Sequence, residues 1–103
     1  MQQRDDYMRR LRDELEHLNG VASAWADSAR TAPYELHLVR ERQLALLRAY
    51  RERAAARLLE AEAALDSTAD RAIAAVHEAW IELREAYRAA RPHFEHGRRA
   101  DDT

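Results

Sequence analysis

The run Tyr34–Arg91, YELHLVRERQLALLRAYRERAAARLLEAEAALDSTADRAIAAVHEAWIELREAYRAAR, is 58 residues long and contains neither glycine nor proline. Pro33 stands before it and Pro92 after it. Helix boundaries are usually written in those two residue types, because one frees the backbone and the other removes a donor. Their absence predicts one or two unusually long helices. Inside the run an apolar stripe passes through Leu47, Tyr50, Ala54, Leu58, Ala61, Leu65, Ala69, Ala72, Val76, Trp80 and Leu83, and continues to Tyr87, Ala90 and Phe94. Its spacing repeats as three, four, four, an eleven-residue period close to the natural helix, so little supercoiling is needed. The bulky members of the stripe, Leu47, Tyr50, Leu58, Leu65, Val76, Trp80, Leu83, Tyr87 and Phe94, are the expected interface residues.

The interruption to consider is Asp66-Ser67-Thr68-Ala69-Asp70, where Ser67 and Asp70 have the spacing of a shortened capping box. The stripe crosses it in phase, which favours a continuous helix about 87 Å long at the standard rise. The alternative is a turn at Asp66–Asp70 and a compact three-helix bundle. Charge gives the pairing direction. Arg40–Arg57 holds six Arg against two Glu, and Glu60–Glu85 holds seven acids against two Arg. Antiparallel pairing, between chains or by folding back near residues 62–68, sets the basic half beside the acidic half.

Upstream, Met8, Leu11, Leu15, Leu18, Ala22, Trp25 and Ala29 alternate in steps of three and four, a heptad seam. It passes Asn19-Gly20 in phase, so one helix is expected over residues 4–31, with Gly20 costing about 1 kcal/mol relative to Ala. Pro33 marks a break, with Thr31 or its neighbour as the cap and Glu35 in the favourable first turn. Long helical structure is expected over 33–91, and a frayed tail over 92–103.

Composition bounds the rest. The 103 residues include 22 Ala and 7 aromatics, so the core available to one chain is thin and self-association is the natural remedy. All 17 basic residues are Arg, and the net charge of -2 attracts neither nucleic acid nor anionic membrane. Glu41 and Glu52 interrupt the Arg-rich stretch, which reads as a pairing face rather than a nucleic-acid interface. Cysteine is absent, which excludes disulfides and thiolate chemistry. No apolar run resembles a signal peptide or a membrane span, so a cytoplasmic location is expected.

Candidate chemistry is sparse. Glu14 and His17 form one Glu-x-x-His, but the di-iron bundles that use this motif need it twice. His93, Glu95 and His96 could grip a divalent ion, but they lie in the expected frayed end. His37 and His77 read as interfacial or surface residues. Ser23, Ser28 and Ser67 lack nucleophile-elbow glycines, and no phosphate-binding glycine loop is present. No catalytic residue, cofactor or metal site is therefore expected. Trp25, Trp80, Tyr87 and Phe94 raise a peripheral membrane-surface protein as the rival reading. A polar face as acidic as it is basic, opposite a mostly Ala face, argues for helix partners instead.

Arg4-Asp5-Asp6-Tyr7 followed by Leu11, Leu15 and Asn19, then Tyr34-Glu35, the Arg/Glu/Leu-rich run to Arg57-Leu58, Ala79-Trp80-x-x-Leu83 and Arg91-x-x-Phe94 resemble a family of short bacterial coiled-coil proteins described as stress-response proteins. Pro33 departs from that family's pattern. The resemblance implies a soluble, self-associating helical protein tied to stress physiology, with no catalytic residues to carry over. The expected molecule is all-α: an elongated long-helix coiled coil or antiparallel bundle, paired as a homodimer or larger assembly, acting in interaction or scaffolding.

Overall fold

The computed structural model describes the backbone of residues 2–102 and the side chains of residues 3–95. Among these residues the chain is all-α, with three helices: α1 (Gln2–Arg30), α2 (Tyr34–Ala63) and α3 (Ala69–Asp102). Cross-helix contacts fix their directions. Arg53 meets Glu82, Arg51 meets Tyr87 and Arg40 meets the His93 carbonyl, so α2 and α3 form an antiparallel hairpin. Tyr7 lies beside His77, Glu14 binds Arg84 and Trp25 stacks on Phe94, so α1 runs parallel to α3. The result is an up-down-up bundle measuring 52 × 25 × 17 Å.

The basic-to-acidic polarity of the long run is satisfied within one chain, by folding back. The continuous helix over 33–91 is thereby corrected: α2 stops at Ala63, and Ala64 takes an extended ψ of 140°. Residues 64–68 turn without glycine, proline or any positive φ. The turn is held by Thr68, whose N–H (2.9 Å) and hydroxyl (3.1 Å) both donate to the Leu65 carbonyl. The Ser67–Asp70 capping box does not form, because α3 starts one residue later than it would require.

α1 passes through Asn19-Gly20 unbroken. Between α1 and α2 the cap is Pro33 rather than Thr31. Its carbonyl accepts the His37 N–H at 2.8 Å, while the Thr31 hydroxyl donates back to Ser28 at 3.2 Å. The helix end expected at residue 91 is also corrected. Pro92 lies inside α3, which continues to Asp102. Proline there leaves the exposed Arg88 carbonyl without its helical donor.

Candidate interaction surface

Six of the nine stripe residues, Leu47, Leu58, Val76, Trp80, Leu83 and Tyr87, are buried against the chain's own helices. Tyr50 and Phe94 are partly buried and pack on that core. Leu65 is the exception: it sits in the turn and is 74% exposed. Alanines at positions 22, 54, 61, 79 and 90, with Met8, Leu11 and Trp25 of α1, complete the core.

Two points tie all three helices together, and in one of them Arg40 of α2 donates to the Ser28 hydroxyl of α1 at 3.1 Å and to the His93 carbonyl of α3 at 2.8 Å. In the other, the buried Tyr87 hydroxyl donates to the Leu18 carbonyl of α1 at 2.9 Å and accepts from Arg51 Nη1 of α2 at 3.1 Å. Burial raises its pKa above the ordinary 10.0, and the Arg51 hydrogen bond opposes the shift. Around it Trp25 stacks on Phe94 (4.7 Å between centroids, 2° between planes) and tilts against Tyr87 at 5.7 Å. Arg40 lies over Phe94 and Arg91 over Trp25, at 5.7 and 5.9 Å, which are cation–π distances. His37 Nδ1 donates to the Ala29 carbonyl at 2.9 Å, clipping the start of α2 to the end of α1. Trp80 is fully buried, and its indole N–H has no partner.

These contacts account for the aromatic residues that suggested a membrane surface. Trp25, Trp80 and Tyr87 lie inside the bundle, Phe94 is half covered, and no described helix is long and apolar enough to cross a membrane. The metal candidates are engaged elsewhere or apart. Glu14 forms a bidentate pair with Arg84 at 2.8 and 2.7 Å, while His17 is exposed. The Arg84 hydrogen bond holds the Glu14 carboxyl below its ordinary pKa, against partial burial, and raises that of Arg84. Glu95 pairs with Arg91, His93 gives its carbonyl to Arg40, and the His96 side chain lies outside the described residues. Among the described residues no three His, Asp or Glu side chains gather. His77 lies 3.3 Å from the Tyr7 hydroxyl at the surface.

What the fold leaves outside is more telling. Leu36, Val39 and Leu46 of α2 are large, apolar and exposed, and with half-buried Gln43 and Tyr50 they are spaced three, four, three, four. That is a second heptad seam on a helix whose first seam is already used by the bundle. α2 also exposes Tyr34, Leu38 and Leu59 away from this seam. An exposed helix that is apolar on more than one side has one side too many for a lone bundle. Leu46 and Tyr50 border a shallow groove of about 300 Å³ between α2 and α3, floored by Leu47 and Ala86 and edged by Glu82 and Glu85. On the far side of the seam α2 carries Arg42, one helical turn from both Val39 and Leu46. The surface is thus an apolar strip with a basic edge on α2 and an acidic edge on α3.

The sequence reading missed this seam. Its signal is present from Leu36 to Tyr50 but overlaps the longer stripe, one residue out of step at Leu46 and Leu47. No protein-family model, curated protein or solved structure matches this chain.

Proposed function

We propose that the protein is a non-enzymatic helical interaction protein of the bacterial cytoplasm that self-associates through the α2 seam and scaffolds partners in stress physiology. The observation that carries the reading is the heptad Leu36–Val39–Gln43–Leu46–Tyr50, exposed at Leu36, Val39 and Leu46, on a helix whose adjoining face is already packed. A second copy is the occupant the edges favour. A two-fold axis parallel to the helices lays the Arg-rich α2 of one copy over the acidic α3 of the other. Like charges are then kept apart, and electrostatic pairing chooses the orientation more than it adds affinity. The stress setting rests on the family resemblance of the sequence.

The test is the solution mass of the intact chain, 12.0 kDa as a monomer. Light scattering at tens of micromolar is expected to give twice that mass. Leu46→Glu with Val39→Glu returns it to the monomer value, because two carboxylates cannot be buried unpaired. Unchanged helicity by circular dichroism shows that the bundle survives. A wild-type monomer at these concentrations, or a dimer indifferent to both substitutions, would overturn the assignment.

A further inference from the structure

The turn between α2 and α3 has an unusual property: no residue type in it bars a helix. It contains no glycine or proline, and no described non-glycine residue has a positive φ. Ala64, with φ of -68° and ψ of 140°, already has a helical φ and needs only a ψ rotation to join α2. The turn's short-range bonds, Ala64 N–H to the Ala61 carbonyl and Thr68 N–H to the Leu65 carbonyl, would be replaced by ordinary helical ones.

The apolar stripe also crosses the turn without losing phase. Leu58, Ala61, Leu65, Ala69 and Ala72 follow steps of three and four, and Ala61 and Ala69 are buried at 1% and 6% exposure. Leu65, between them on the stripe, is 74% exposed only because the chain bends there. Straightening returns it to the buried face. A straight helix from Tyr34 onward cannot fold back on itself, so that face must be covered by another chain.

We infer that the bundle exchanges α3 with a second copy of itself, the turn at residues 64–68 straightening so that α2 and α3 become one helix paired antiparallel with its twin. Each α3 takes the place its counterpart occupied. The Arg53–Glu82, Arg51–Tyr87 and Arg40–His93 contacts, and those of Glu14 and Leu18 to α3, re-form between copies without alteration. The new contact is Leu65, beside the two-fold axis. This inference does not rest on the α2 seam, which stays on the outside in both forms. The shared element is the partner, a second copy.

The two forms differ in one large distance. Arg40 touches the His93 carbonyl in the bundle, so labels at positions 41 and 93 lie within its 25 Å width. In one straight helix the same positions are about 78 Å apart. The natural chain has no cysteine, so Glu41→Cys with His93→Cys gives a dye pair free of background. Labelled chain is mixed with a large excess of unlabelled chain, concentrated, and separated by size. The monomer is expected to show near-complete energy transfer and the dimer almost none. A dimer with transfer as high as the monomer's would overturn the exchange while leaving association through the seam intact.

Loop variants make the test independent of the wild-type equilibrium. Asp66→Ala, Ser67→Ala and Thr68→Ala together favour the straight helix and are expected to raise the low-transfer dimer about ten-fold. Asp66→Gly with Ser67→Gly is expected to lower it by about the same factor. Leu46→Glu leaves it unchanged. Failure of the alanine variant to give a low-transfer dimer at millimolar concentration would also overturn the inference.

Discussion

Replacing Tyr87 with Phe removes one oxygen atom and, with it, one of the two hydrogen-bonded groups shared by all three helices, the other being Arg40. The ring stays, so its contact with Trp25 at 5.7 Å is kept and no large cavity opens. The bond lost to Leu18 is a neutral hydroxyl-to-carbonyl pair in a buried setting, worth about 1 kcal/mol net. The Leu18 carbonyl retains its helical partner, so no fully orphaned acceptor adds to this. Arg51 loses an acceptor, but it is half-buried and lines an open groove with Asn19 and Arg48 where water can replace the hydroxyl. That loss adds about 1 kcal/mol at most. Together the expected cost is about 2 kcal/mol, or about 10 °C in melting temperature for a domain of this length. Urea denaturation followed by circular dichroism measures it directly. A loss below about 0.5 kcal/mol would refute the three-helix role, since a net hydrogen bond in a buried site is worth more than that. The alkaline limb gives a second check. The folded pKa is raised, so the stabilisation from the neutral hydroxyl is complete below pH 10 and is lost as pH rises through the folded value. The stability gap between wild type and Tyr87→Phe should therefore narrow above pH 10. A widening gap would mean that attraction between tyrosinate and Arg51 outweighs burial.

Gly20 lies in the middle of α1, and a Cβ added there meets nothing within 4 Å. Gly20→Ala should stabilise the bundle by about 1 kcal/mol through helix propensity alone, readable as a higher urea midpoint with unchanged slope. Arg84→Met removes the partner of Glu14 and should cost about 0.5–1 kcal/mol at neutral pH, since the pair is partly exposed. The Glu14 pKa is depressed in the folded state, so its contribution is present above the ordinary value of 4.5 and is lost as pH falls through the lower folded value. The wild-type advantage over Arg84→Met should therefore shrink between pH 5 and pH 3. An equal advantage at both ends would show that Arg84 acts through packing rather than charge.

The helical class was legible because the stripe from Leu47 to Phe94 is long and its period unambiguous. The antiparallel relation was legible because the charge halves match only when the run is reversed on itself. The position of the turn was not legible. Glycine and proline normally announce a helix end, and this turn uses neither. Its stop is made by Thr68 bonding back to Leu65, a local exchange of hydrogen bonds that the apolar pattern does not register. Pro33 announced its break correctly, but Pro92 was read as an end when it sits within α3. Proline removes a donor without forbidding the helix to continue. The His37 clip to Ala29 and the Tyr87 bond to Leu18 depend on tertiary approach and leave no mark in residue spacing. The α2 seam was obscured for another reason: two three-four patterns share Tyr50, and periodicity alone cannot say which one a bundle will cover.

The uneven distribution of side-chain size links the core to the surface. At the end remote from the hairpin turn, Trp25, Tyr87 and Phe94 pack as rings, and Arg40 and Arg91 lie over them. Toward the turn the buried positions are Met8, Leu11, Ala54, Leu58, Ala61, Ala69, Val76, Ala79 and Trp80, where alanines alternate with larger side chains. In the same chain Leu36, Val39, Leu46, Leu59 and Leu65 stand outside. A sequence selected only to fold alone would put its leucines where these alanines are. Their placement on the outer side of α2 and at the turn fits the proposed association with another copy, at one position across a surface and at the other across an exchanged helix.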